Sequence, residues 1–366
     1  MAHSRHERRR WTRTALVFAL VILFLLWLNP NWTDTSLHHV ARFDPNDVDL
    51  TNPAVAESLC RQHGWTPFRS RSRGRKVYDL VMINTELDWL EIRLNTTYHQ
   101  VDYFVIVESS KTFTNHDKPL IIKDNMHRFA AYRDKIIYHE LEIPNGFHSD
   151  RANPAWAWED LQRNAMYDQV LPRLNGPQAP VDGDVIIVAD VDELVRPETL
   201  VVLRACEFPR RLTLRSHFYY YSFQYLHKGT QWSHPQATYY QGWRTILPVN
   251  LRNSDGGLPP LISLEKGNLW SAGWHCSTCF STIEEVLTKM ASFSHVSLNQ
   301  DIYRDRDRIA DHVRSGQDLW DREGQEYDRI ENNKDIPSLL LKEPDRYPWL
   351  TNRDPPSAGF SDYTGP

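Results

Sequence analysis

Four apolar runs that end in polar residues organise the middle of the chain: residues 77–84 (VYDLVMIN), 101–108 (VDYFVIVE), 135–139 (KIIYH) and 184–190 (DVIIVAD). Runs with so little alternation predict strands buried on both faces, as in a parallel sheet. Two intervening stretches carry helical spacing. One is 87–100. The other is 158–174, where Trp158, Leu161, Ala165, Met166, Val170 and Leu174 approximate one face. Strands alternating with helices predict an α/β sandwich with a mostly parallel central sheet. Ligands of such sheets bind outside the carboxyl ends of the strands. Beyond Arg211, residues 218–225 (FYYYSFQY) and 244–250 read as further strands, and a helix starts near Thr282. Residues 301–330 are highly charged and read as surface helix, and the tail from Pro344 reads as irregular.

The longest apolar run lies elsewhere, at residues 15–28 (ALVFALVILFLLWL), fourteen residues without a charge. At ~1.5 Å per residue it spans ~21 Å, short of a ~30 Å hydrocarbon core. Trp11, Thr12 and Thr14 extend it, with Arg13 snorkelling. Arg5, Arg8, Arg9, Arg10 and Arg13 precede the run, so the positive-inside rule keeps the first residues cytoplasmic and translocates the rest. A cleaved signal peptide is the rival reading, but Asn29, Pro30, Asn31 and Trp32 follow the run where cleavage needs small residues. The expected plan is a cytoplasmic tail (1–14), a transmembrane signal anchor (15–28), a proline-bearing stem (29–76), a folded body (77–300) and a charged extension (301–366). The basic tract at 69–76 reads as a solvated linker. Sequons at Asn31 and Asn95 agree with a lumenal body.

Composition narrows the class. The 366 residues are 41% hydrophobic and 24% charged, which excludes collagen-like, disordered and coiled-coil chains. A formal net charge of −5 gives no reason to expect a nucleic-acid partner. Four cysteines are too few for a disulfide scaffold. The 13 Trp and 16 Tyr suit core packing and also stacking on ring-shaped ligands.

Asp190-Val191-Asp192-Glu193 directly follows a predicted strand. Carboxylates at i and i+2 lean to one side of an extended path. At a strand's carboxyl end they make a hard-oxygen site suited to Mn²⁺ or Mg²⁺ and to a departing diphosphate. The competing reading is an acidic turn that caps a helix over 197–203. Glu108-Ser109-Ser110 also ends a strand, as a ribose or base contact or as a turn. Glu159, Gln162, Arg163 and Asn164 share a helix. There Arg163 either faces phosphate or pairs with Glu159 at i, i+4. Cys276 and Cys279 lack the second pair that a zinc site needs. A local disulfide, or bridges to Cys60 or Cys206, is the simpler expectation. His275 is a candidate third metal ligand, with His295 as competitor. Gly-rich phosphate loops, G-x-S-x-G and H-E-x-x-H are absent from the sequence.

Several motifs together resemble one family. They are residues 84–95 (NTELDWLEIRLN), 104–109 (FVIVES), Thr112-Phe113-Thr114, Lys118-Pro119-Leu120, Gln162-Arg163-Asn164, residues 188–193 (VADVDE), Gly273-Trp274-His275 and Ser292-Phe293-Ser294-His295. Their order and spacing are similar to glycosyltransferase family 17, the β-1,4-mannosyl-glycoprotein β-1,4-N-acetylglucosaminyltransferases. The resemblance implies a GT-A-like nucleotide-sugar fold and a UDP-N-acetylglucosamine donor. It also implies an N-glycan mannose as acceptor, a divalent cation (Mn²⁺ ahead of Mg²⁺), inversion at the anomeric carbon and a single-pass type II enzyme in the Golgi membrane. On this reading Asp190, Asp192 and His275 hold the metal and diphosphate. Glu86, Asp88 and Glu108 border the nucleoside, Arg163 faces phosphate, and Asn164 is a further donor-binding residue. Trp274 lies by the acceptor, and Glu284, Glu285 or, less favoured, Glu193 is the base that inversion needs. After His275 the chain departs from the family pattern with Cys276-Ser277-Thr278-Cys279-Phe280, so acceptor identity is the property this segment bears on. The alternatives are a non-catalytic lumenal carbohydrate-binding protein on the same fold and a hydrolase with paired carboxylates. The uninterrupted Asp190 and Asp192 fit chelation better than either.

Overall fold

A computed structural model describes residues 15–21, 39–68 and 74–365. The four predicted strands form as β1 (Val77–Ile83), β2 (Tyr103–Glu108), β3 (Ile136–Glu140) and β4 (Val185–Asp190). They pair in parallel in the order β3-β2-β1-β4. The missing alternation has a direct cause. Val77, Val81 and Ile83 of β1 face one core layer with Phe104, Ile187, Leu90 and Leu200. Tyr78, Leu80 and Met82 face a second layer with Val105, Ile186, Met166 and Val170. Both faces are covered, so apolar residues occupy both parities.

The rest of the sheet is mixed and corrects the expectation of a mostly parallel one. It contains β5 (Glu193–Val195), β6 (Arg211–Tyr220), β7 (Ser222–His227), β8 (Gln236–Tyr239), β9 (Lys266–Ser277) and β10 (Tyr327–Arg329). β8 is antiparallel to β4 and β6, β7 to β6 and β10, and β5 to β9, whereas β6 and β9 are parallel. Residues 218–225 are thus two strands. Tyr221, at φ +64°, reverses the chain between them, and a connection that tight allows only antiparallel pairing. Residues 244–250 are not a strand; they lead into a short helix, Pro248–Arg252, with Pro248 at its first position. The predicted 158–174 helix runs instead from Ala155 to Ala165, and a wider turn and a 3-10 turn carry the chain on past Pro172. β9 escaped the apolar pattern because glycines interrupt it. Gly273 is required there, since a Cβ would strike the Leu194 carbonyl of the paired strand.

The segments expected to flank the domain are packed into it. In the expected stem, Val40 enters the core, and the Pro53–Arg61 helix is tied to the Pro197–Ala205 helix by the Cys60–Cys206 disulfide. In the expected extension, Ile336, Leu339, Leu340 and Leu350 join the first core layer. The Arg306–Ser315 helix buries Ile309, Ala310 and Val313, so it is not a free surface helix. Arg353 is fully buried and donates to the carbonyls of Tyr221, Phe280 and Ala358.

Residues 15–21 are helical and exposed, and the remainder of the expected anchor and Asn31 lie outside the described residues. Among the described residues no helix is long and apolar enough to cross a membrane. The Asn95 sequon sits inside the Leu87–Thr97 helix, where the Thr96 and Thr97 hydroxyls are buried against the carbonyls of Ile92 and Arg93. Asn95 itself is half-buried, its amide donating to the Tyr132 hydroxyl at 3.1 Å, so it does not lie on the surface loop the sequon suggests.

Candidate functional site

A cleft of about 660 Å³ opens where strand carboxyl ends converge. Met82 and Ile83 close β1 there, Asp190 closes β4, and Phe218 and His275 come from the last turns of β6 and β9. This is where a sheet of this kind places its ligands. The helices Ala155–Ala165 and Ile283–Ser292 supply the walls, through Trp156 and Glu159 and through Val286 and Lys289.

The acidic turn is pinned from beneath. Arg93 Nε and Nη2 donate to Asp79 of β1 at 2.7 and 2.6 Å, with both side chains buried. Arg93 Nη1 donates to the carbonyls of Asp190 and Glu193 at 3.1 and 2.7 Å. One paired guanidinium thus fixes the backbone on both sides of Asp192.

The three carboxylates have different surroundings. Asp190 divides its oxygens between Arg163 (3.0 Å) and Arg252 (2.7 Å). Burial opposes its ionisation, but the two guanidiniums prevail and hold its carboxyl below the usual range. Glu193 is fully buried and takes Arg252 through both oxygens, at 2.8 and 2.9 Å. It also accepts from Trp232 Nε1 and from the Asp190 N–H. Burial again opposes ionisation and Arg252 outweighs it, so Glu193 stays charged far into acid. A carboxylate so engaged is a poor proton acceptor, which removes Glu193 as base. Asp192 faces the cleft differently. Its Oδ2 accepts from Lys289 Nζ at 3.0 Å, and its Oδ1 lies 3.7 Å from His275 Nδ1. The imidazole is fixed between Phe218 (5.1 Å, 17°) and Trp232 (4.8 Å, 20°).

Asp192 and His275 have the donor chemistry and spacing to share a divalent cation. Two donors each ~2.2 Å from one ion stand ~3–4 Å apart. Asp190 does not fit as a direct ligand, since both of its oxygens already hold guanidiniums. Among the described residues no group of three His, Cys, Asp or Glu side chains has metal-holding geometry, so ligand oxygens and water would complete such a site.

The other expected residues divide in two. Glu86 lines the cleft, and its Oε2 accepts from the N–H groups of Asn84 and Thr85. Arg163 is buried between Asp190 and Glu159. Asn164 acts at one remove, accepting from the Val249 N–H and so positioning the helix that carries Arg252. His295 lines the cleft against Trp156.

Five expectations fall outside it. Glu108 is fully buried and spends its oxygens on the N–H groups of Ile122 and Lys123 and on the Tyr138 hydroxyl. Asp88 pairs with Arg128. Trp274 is buried beneath Arg196, its Nε1 donating to Asp335 at 2.8 Å. Glu284 is exposed on the far face of its helix, 3.9 Å from Arg306. Glu285 closes a capping box with Thr282, the role its position three residues after a threonine favours.

Lys289, Arg252, Trp232 and His234 line the cleft without having been singled out in the sequence. For Lys289 a signal existed: it follows Ile283 and Val286 at spacings of six and three, which puts a lysine on the buried stripe of its helix. Arg252, Trp232 and His234 arrive by chain reversals that no local pattern encodes. Cys276 and Cys279 pair with each other just beyond His275.

Residues 14–351 match the family model described as glycosyltransferase family 17. A beta-1,4-mannosyl-glycoprotein 4-beta-N-acetylglucosaminyltransferase from Homo sapiens is 27% identical over 313 residues, covering 75% of this chain and 55% of its own length. A protein of the same name from Mus musculus is 26% identical over 384 residues, covering 95% and 63%. The chain therefore spans less than two thirds of the length of these relatives. With the match running through nearly every described element, the chain belongs to glycosyltransferase family 17.

Proposed function

We propose that this chain is a metal-dependent inverting glycosyltransferase with a GT-A-like fold that moves N-acetylglucosamine from UDP-N-acetylglucosamine to a mannose of a protein N-glycan. The name carried by its relatives supports the reaction. The observation that carries the site is the Asp192 carboxylate, aimed into the cleft between Lys289 and His275. Residues 15–28 serve as a type II anchor in the Golgi membrane, with the cleft in the lumen.

Asp192 and His275 would hold the cation, Mn²⁺ ahead of Mg²⁺, which supplies Lewis-acid neutralisation of the leaving diphosphate. The chain's own residues do the rest. Arg163 and Arg252 keep Asp190 and Glu193 ionised and immobile, so the turn that presents Asp192 needs no reorganisation as charge develops. Met82, Ile83 and Asn84 at the end of β1, with Phe113, form the wall for the uracil and ribose. Phe218, Trp232 and Trp320 give the acceptor an aromatic wall in the same cleft. Inversion in one displacement requires a carboxylate to take the acceptor hydroxyl proton. Of the two cleft carboxylates not paired with Arg252 or Lys289, Glu159 is held by Arg163 at 2.8 Å, so Glu86 is the base on this reading.

The test is incubation of the protein with a panel of UDP-sugars, Mn²⁺ and N-glycan acceptors, reading product masses. Gain of one N-acetylhexosamine with UDP-N-acetylglucosamine alone is expected. Stabilisation by free glycan without any product, and without a response to UDP, would overturn the reading in favour of a carbohydrate-binding protein.

A further inference from the structure

Lys289 stands on the apolar stripe of the Ile283–Ser292 helix, with Ile283, Val286 and Met290 buried around it. Its Nζ is 3.0 Å from Asp192 Oδ2 and 5.3 Å from the centre of the Phe280 ring, and its side chain is 24% exposed, towards the cleft. The ammonium thus holds Oδ2 of the carboxylate whose Oδ1 lies 3.7 Å from His275 Nδ1, the pair of donors a metal would share. A metal on that carboxylate would stand only about 4–6 Å from the ammonium, and two cations so close repel strongly. A lysine suits exchange better than an arginine would. Its charge is compact, its stem is flexible, and its three donors need no fixed plane.

We propose that Lys289 and the divalent cation are alternative counter-ions of Asp192, and that the nucleotide diphosphate couples their exchange. When the metal takes the carboxylate, the ammonium moves to a diphosphate oxygen. This rests on the metal-binding role given to Asp192 above. The arrangement makes metal binding weak in the absence of nucleotide and makes each of the two ligands strengthen the other, because coupling between sites is reciprocal. It keeps Asp192 oriented until a diphosphate is present to compensate the displaced lysine.

The experiment titrates Mn²⁺ into the full-length protein, following free Mn²⁺ by electron paramagnetic resonance, with and without UDP. Lys289→Met removes the charge and keeps the stem, Lys289→Gln removes it with a polar head, and Lys289→Arg keeps it. Without UDP, both neutral variants should bind Mn²⁺ about tenfold more tightly than the unaltered protein, and Lys289→Arg should remain within about twofold of it. UDP should tighten Mn²⁺ binding by about tenfold or more in the unaltered protein and by much less in the neutral variants. Thermal midpoints show whether each variant is folded, and either neutral substitution alone suffices. Unchanged or weaker Mn²⁺ binding in a folded neutral variant, with UDP still enhancing it, overturns the exchange and leaves the metal role of Asp192 intact. Absence of Mn²⁺ binding to the unaltered protein even with UDP overturns that role and the exchange with it.

Discussion

Arg252 grips Glu193 at two points beneath the cleft, Nη1 to Oε2 at 2.8 Å and Nη2 to Oε1 at 2.9 Å, while Nη2 also reaches Asp190. The guanidinium thus joins two carboxylates that would otherwise repel each other in a buried turn. Removing one partner from such a pair strands a buried charge. Arg252→Met should therefore cost about 3–5 kcal/mol of stability, seen as a lowered denaturation midpoint. A midpoint equal to that of the unaltered protein would show that the pair is not buried.

Asp190 and Asp192 should separate when mutated singly. Asp190→Asn weakens the pairing with Arg163 and Arg252 and should lower the thermal midpoint. Asp192→Asn takes the counter-ion from Lys289 but breaks no guanidinium pair, so it should lower the midpoint less than Asp190→Asn while reducing Mn²⁺-dependent turnover on the order of 10²–10³-fold, the scale of a lost transition-state contact. The opposite pattern would reverse the roles.

His234 lines the same cleft, and burial, followed by the neighbouring Arg252, lowers its imidazole to about 4. The unfolded chain takes up this proton first, near pH 6.5. The stability held by the neutral ring is thus complete above about pH 6.5 and is lost as pH falls towards 4. The loss is roughly 2–3 kcal/mol once partial exposure is allowed for. Denaturation followed between pH 7 and pH 4 should show this slope in the unaltered protein and a shallower one in His234→Asn.

Trp274 should behave as a structural residue. Trp274→Phe leaves Asp335 short of one donor and should cost about 1.5–3 kcal/mol, the range for a hydrogen bond to a charged group. KM for an N-glycan acceptor should not change. A raised acceptor KM with normal stability would restore the tryptophan to the acceptor site.

Cys60 and Cys206 are 146 residues apart in sequence. Closing a loop of that size restricts the unfolded chain by about 4–5 kcal/mol in the chain-entropy account. A Cys60→Ser, Cys206→Ser double variant should lose stability on this scale. Loss of the local Cys276–Cys279 bridge, which closes a far shorter loop, should cost less.

The sequence was most readable where local pattern and burial agree. Buried strands leave continuous apolar runs, so β1 to β4 were visible with their ends, and with them the position of the Asp190–Glu193 turn. β9 was not visible, because Gly267 and Gly273 answer to close neighbours across the sheet rather than to hydrophobic burial. The segment around 39–68 looked like a linker because its few anchoring residues, Val40 and Cys60 among them, show their purpose only against distant partners.

The same division runs through the site. By itself the sequence determined the family's motif order, the acidic turn at a strand's carboxyl end, and the helix start at Thr282. These depend on neighbours a few residues away. Only the tertiary structure decided which of the adjacent carboxylates faces the cleft and which is buried in ion pairs. That choice depends on Arg163, Arg252 and Lys289, brought in from 27 to 97 positions away in the chain. Coulombic partners at 3 Å fix the state of a carboxylate, and spacing along the chain carries no record of which partners folding will supply.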